Sequence, residues 1–178
     1  AIITVLSQKH GLIKGVVRGV NSKKSRGLFQ PGNLLSVVWS ARMEEHLGSF
    51  KGELISPFAA QIMNHPHALA MLSSACALLS VALPERNHYP KIYSALAHLL
   101  THLAHAPDEC LREYINFELL LLSETGFGLD LTECVATGET EQLIYISPKS
   151  GRAVSEEAGE PYKDERFAKP PELATTQC

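Results

Sequence analysis

The hydrophobic period changes once along this chain, at Pro57, and that change constrains the fold more than any other feature. Before it, Ile3 and Val5, then Leu12, Val16 and Val20, recur at even spacings among polar residues, with Gly11, Gly15, Gly19, Gly27, Gly32, Gly48 and Gly52 punctuating the runs. Even spacing puts side chains on one face of a strand. The pattern predicts four strands, over 1–6, 12–20, 34–43 and 48–56, with turns at 7–11, 21–32 and 44–47. In the third, Leu35, Val37, Trp39, Ala41 and Met43 share one face, while Ser36, Ser40 and Arg42 share the other. Few, glycine-rich and strongly curved strands suit a small barrel.

After Pro57 the spacing becomes helical. Pro66 opens a helix through Leu69, Leu72, Ala75, Cys76, Leu79 and Leu83 that ends at Pro84. A second runs from Pro90 to Ala106, and a third starts near Asp108, an N-cap residue, and ends at Gly126. The run Leu119 to Leu122 is apolar all round and predicts that the third helix is central to a small bundle. Beyond residue 130 the pattern predicts a short strand at Leu143–Ile146, a turn at Ser147–Gly151, a return at Arg152–Val154 and an irregular stretch from Glu160.

Composition excludes several classes. With 45% hydrophobic residues the chain is not a disordered tail, and four cysteines are too few for a disulfide scaffold. The mainly apolar stretch Ala68–Leu83 is interrupted by Ser73, Ser74, Cys76 and Ser80, so no membrane segment is expected. Cys76, Cys110, Cys134 and Cys178 form no C-x-x-C pair, and a reducing cytoplasm is the simpler setting.

The net charge of −3 conceals a segregation. Residues 1–58 carry eight Lys and Arg against three Glu, residues 59–140 three against nine acids, and the remainder five against seven. No acid precedes Glu44. A basic N-terminal part on an acidic remainder points to a polyanion partner. Lys14 and Arg18 lie four residues apart on a predicted strand, and Lys23, Lys24 and Arg26 follow in the next loop with Ser25 between them. Several cations along a short path, with a hydroxyl among them, suit a phosphate backbone. A solvated basic hairpin tip is the plain alternative. Phe29, beside this loop, is the candidate for base stacking, whereas Trp39 is expected in the core with Leu35, Val37 and Met43.

His98, His102 and His105 share one helix face, yet no Cys pair or acid completes a metal set at known spacing, so a solvated polar face is expected. No nucleophile elbow, phosphate-binding loop or metalloprotease motif occurs, and no cofactor is expected.

Taken in order, several stretches resemble the RecO family of bacterial recombination mediators, which are DNA repair proteins. They are His10–Leu12 with Val17–Val20 and Ser25–Arg26, Leu28–Leu35, Leu83–Arg86, Phe117–Leu119 with Glu124–Leu131, and Tyr145–Ser155. The resemblance covers nearly the whole chain. It implies an α+β protein: an OB-fold barrel over 1–58 whose first strand precedes Ala1, a helical domain over 59–130, and a degenerate zinc-ribbon-like segment with its tail over 131–178. It also implies a non-enzymatic function: binding single- and double-stranded DNA, annealing strands and, with the partner RecR, helping to load RecA onto DNA coated by single-strand-binding protein. The DNA-binding set would be Lys14, Arg18, Lys23, Lys24, Arg26, Phe29 and Arg42, and Arg112 is the candidate for the acidic tail of the single-strand-binding protein. Zinc-holding members use two C-x-x-C pairs, and the matching positions here are Cys134, Thr137, Ser155 and Ala158. One thiolate cannot hold structural zinc, so no metal is expected. The competing reading is an RNA-binding or structural OB-domain adaptor, since phosphate contacts alone do not distinguish DNA from RNA. An enzymatic reading would need a metal at His98, His102 and His105.

Overall fold

The computed structural model describes residues 1–19, 23–43 and 46–162, with only the backbone described for Lys23, Lys24 and Tyr162. The described residues fall into two compact units, one over residues 1–117 and one beginning at residue 118.

The first unit opens with four strands, β1 (Ile2–Ser7), β2 (Gly11–Val16), β3 (Leu34–Ser40) and β4 (Gly48–Ser56), in the order β1-β2-β4-β3. Both hairpin-like pairs, β1 with β2 and β3 with β4, are antiparallel; β2 and β4 are joined in parallel through only Gly15–Gly48 and Val16–Ser49. Trp39, Val37 and Leu35 lie opposite Phe50, Gly52 and Leu54, so one face of the β3–β4 pair collects the large apolar side chains. Phe50 is buried.

The expected barrel does not close. A barrel requires its outer strands to pair with each other, and here β1 and β3 are the edges of an open sheet. A cleft of about 600 Å³, lined by residues of both edges and by Leu72, Leu79, Leu96 and Leu100, opens beside them. The second strand also stops at Val16 rather than residue 20, and the expected loop over 21–32 contains a short helix, α1 (Lys23–Leu28).

A short α2 (Phe58–Ile62) leads into α3 (Pro66–Ala82) and α4 (Pro90–His105), each of which starts with proline at its first position, where the missing N–H costs nothing. α3 buries Ala68, Leu72, Ala75 and Leu79, a four-three-four spacing that makes one helical stripe, and α4 buries Ile92, Leu99, Leu100 and Leu103. Each fully buried Leu contributes about 1.5–3 kcal/mol by transfer from water. α5 (Leu111–Glu124) crosses from the first unit into the second. It is not the central helix that its sequence predicts: Phe117 and Leu121 are buried, but Leu122 is 39% exposed and Leu111 55% exposed. Apolar composition around the whole circumference does not by itself supply neighbours on every side.

In the second unit β5 (Leu143–Ile146) and β6 (Ala153–Ser155) pair antiparallel across the predicted turn, where the Gly151 amide donates to the Ser147 carbonyl at 2.9 Å. α6 (Glu156–Gly159) and a 3-10 turn (Glu160–Tyr162) follow. Cys134, Tyr145 and Val154 form the core here, flanked by Leu143, Ile144 and Ala158. Arg152 joins this hairpin to the preceding loop through Asp130 at 3.2 Å and Glu133 at 2.9 Å.

Among the described residues of the expected zinc-ribbon-like segment, β5 and β6 form a single two-stranded hairpin rather than a ribbon. Among the described residues no group of three His, Cys, Asp or Glu side chains is placed to hold a metal. At the matching position Cys134 Sγ accepts a hydrogen bond from the Ser155 amide at 3.2 Å.

Candidate nucleic-acid interface

The seven residues between α3 and α4 form a strap across β2, and they create a cluster that local sequence did not announce. The Arg86 amide donates to the Leu12 carbonyl at 2.9 Å, and Glu85 bridges Leu12 in parallel, so the strap extends the sheet along the part of β2 that β4 leaves unpaired. Gly11 makes this approach possible. Its φ of +65° is unfavourable for other residues, and a Cβ there would collide with the Asn87 carbonyl.

The strap places Glu85 Oε1 2.7 Å from Lys14 Nζ and sets the Arg86 guanidinium 5.4 Å from the centre of the Trp39 ring. The Trp39 ring is itself fixed: Nε1 donates to the Lys14 carbonyl at 3.3 Å, and Gly48 leaves room for it where a Cβ would overlap the indole. Trp39 is thus half-buried under an arginine rather than sealed in the core. Both members of the Lys14–Glu85 pair are more than 40% exposed, so the pair itself contributes little stability. Its chemical consequence is larger, because a cation expected to face phosphate already holds a carboxylate.

The remaining candidates occupy several elements. Arg18 follows the end of β2 and is exposed. Lys23 and Lys24 open α1, with their side chains outside the described residues, and Arg26 sits exposed in its last turn. The end of α1 is anchored by Asn33, whose Nδ2 donates to the Gly27 and Leu28 carbonyls at 2.8 and 3.0 Å while its Oδ1 accepts from the Ala59 amide at 3.1 Å. Gln30 Nε2 donates to the Arg26 carbonyl at 2.7 Å. Phe29 is half-buried and lines the cleft beside β1 and β3. Arg42, just past β3, is exposed, and so is Lys51 at the middle of β4.

Arg112 is exposed on α5 and makes no ion pair among the described residues, with Glu109 and Glu113 included. His98 and His102 stack with ring centres 4.2 Å apart, and His102 Nδ1 and His105 Nδ1 bond the carbonyls of His98 and Thr101 on their own helix. Burial pushes the Cys76 and Cys110 thiols up, away from reactivity.

Cys134 behaves differently. Burial opposes ionisation, but hydrogen bonds from Ser155 and Thr137, with the Ser155 and Ala136 amides, outweigh it and bring the thiol down to about 6. The Ser155 amide makes the well-formed bond among these, at 3.2 Å. Among the described residues no helix is long and apolar enough to cross a membrane.

Arg86 and Glu85 are the residues that sequence reasoning missed. Arg86 is one of three cations within 59–140 and lies in a connector next to Pro84, but its partner Trp39 is 47 positions away. No local pattern encodes that contact.

Comparison with known proteins is consistent along the chain. The model for the N terminal of recombination protein O matches residues 1–58, and that for its C terminal matches residues 63–177. The protein named DNA repair protein RecO in Mesorhizobium japonicum is 45% identical over 170 residues, covering 96% of this chain and 66% of that relative. Those of Granulibacter bethesdensis and Rickettsia conorii are each 43% identical, over 163 and 169 residues, which is 65% and 70% of their own length. The chain therefore spans about two-thirds of the relatives it matches. Matched over residues 1–58 and 63–177 by the family's two models, the chain belongs to the RecO family of DNA repair proteins.

Proposed function

We propose that this protein is a DNA-binding recombination mediator that acts without a bond-making step. The observation that supports this best is the set of exposed cations, Lys14, Arg18, Arg26, Arg42 and Lys51, within residues 1–58, the segment that matches the family's N-terminal domain. Strand annealing needs no catalytic acid or base. Cations that lower the repulsion between two phosphate chains, while leaving base edges free, are sufficient to accelerate pairing. On this reading Lys23 and Lys24 extend the phosphate track from α1, the exposed Arg112 contacts the acidic tail of single-strand-binding protein, and the protein acts together with RecR to load RecA onto the coated DNA in the cytoplasm.

The test is a titration of labelled single-stranded DNA at several salt concentrations. For about five phosphate contacts, log K should fall against log salt with a slope near −3.5. Reversing Lys23, Lys24 and Arg26 to Glu should flatten the slope. Unchanged affinity after reversal would remove DNA from this surface.

A further inference from the structure

We infer that Trp39 and Arg86 form a nucleobase-stacking platform for single-stranded DNA, an inference that rests on the DNA-binding reading above and gives it a specific site. Three observations meet at this point.

The first is rigidity. Arg86 is held at a φ of 63°, a left-handed conformation unusual for a side chain of this size, and its backbone stays there because the amide bonds Leu12 and the preceding residue bridges β2. A strained backbone that the surrounding structure over-determines fixes the direction in which the Arg86 side chain leaves the chain, toward Trp39.

The second is the cation–π contact itself. The guanidinium lies over an indole whose own orientation is fixed by its Nε1 bond to Lys14, and Arg86 is exposed and makes no ion pair among the described residues. A guanidinium has two flat faces. With the Trp39 ring within cation–π reach and no carboxylate paired to it among the described residues, the exposed guanidinium can offer a flat face to an unstacked base, and planar guanidinium surfaces serve that purpose well.

The third is the neighbour. Lys14 Nζ, tied to Glu85 2.7 Å away, is positioned by the same strap, so a phosphate next to the stacked base has a cation within the same cluster once Glu85 yields it. Phe29, lining the cleft, has no comparable cation beside its ring among the described contacts. A fully paired duplex has no free base to offer such a surface, so the platform selects single strands.

Trp39 is the only tryptophan, which makes the test direct. Labelled oligothymidylate and the same backbone without bases are titrated into the full chain, following probe anisotropy and Trp39 emission together. The expected result is that emission changes along the anisotropy isotherm, and that Arg86→Ala and Arg86→Lys each weaken oligothymidylate binding by roughly tenfold, as loss of one stacked base does. Neither should weaken binding of the abasic strand or of a blunt duplex by a comparable factor. Arg86→Asn, which tolerates the left-handed backbone, covers the case in which Arg86→Ala does not fold. If Arg86→Lys binds as the parent does, or if the abasic strand shows the same loss, Arg86 is a simple phosphate contact and the platform is wrong while DNA binding stands. If the parent chain binds none of these probes, the DNA-binding reading itself falls.

Discussion

Glu85 Oε1 lies 2.7 Å from Lys14 Nζ, so the cation at the centre of the β2 surface is neutralised by the connector between two helices. Removing the carboxylate should release that cation. Glu85→Gln is expected to tighten single-stranded DNA binding severalfold at low salt, and to steepen the slope of log K against log salt by about one phosphate's worth, roughly 0.7. An unchanged slope would show that Lys14 does not face the DNA.

Gly11 carries the strap. Its Cβ-free approach to Asn87 and its positive φ are both lost in Gly11→Ala, which should destabilise the first unit by about 2 kcal/mol or more. Chemical denaturation measures the loss. Trp39 emission in the folded variant should shift as well, because Arg86 leaves the ring when the strap lifts.

Cys134 links stability to pH in the second unit. Its thiol is brought from 9.0 in the unfolded chain to about 6, so the folded state releases this proton first. A lowered acid of this kind contributes its full stability above about pH 9, and the contribution is lost as the pH falls through about 6. The melting temperature of the parent should therefore rise between pH 6 and pH 9 relative to that of Cys134→Ala. Parallel curves for the two proteins would show that the thiolate contributes nothing.

Leu99 is 1% exposed on α4 and has no polar role. Leu99→Ala should cost about 2–5 kcal/mol through lost transfer energy and the cavity left behind, whereas Val81→Ala, at a position 88% exposed, should be close to neutral. Thermal unfolding of the two variants side by side measures the difference, and equal melting temperatures would show that Leu99 is not enclosed.

Much of this molecule is legible before any coordinates. The switch from even to helical spacing at Pro57, the prolines that open α3 and α4, and the Ser147–Gly151 turn each encode a local event, because backbone sterics and side-chain period act within a few residues. The basic character of the first 43 residues is likewise a property of composition alone.

What the sequence could not supply were the contacts between distant segments. Closure of the sheet depends on whether β1 meets β3, two strands whose pairing no local pattern reports. Leu122 is as apolar as Leu103, yet only the second is surrounded, since burial is set by what packs against a helix face rather than by the face itself. The same physics governs the site. Six basic residues by Arg26 were enough to suggest a polyanion, but long-range packing brought Glu85 to Lys14, placed Arg86 on Trp39, and gave Cys134 the Ser155 amide. Charge sign and period are written along the chain; which charges remain free and which rings remain accessible is decided only when the chain folds back on itself.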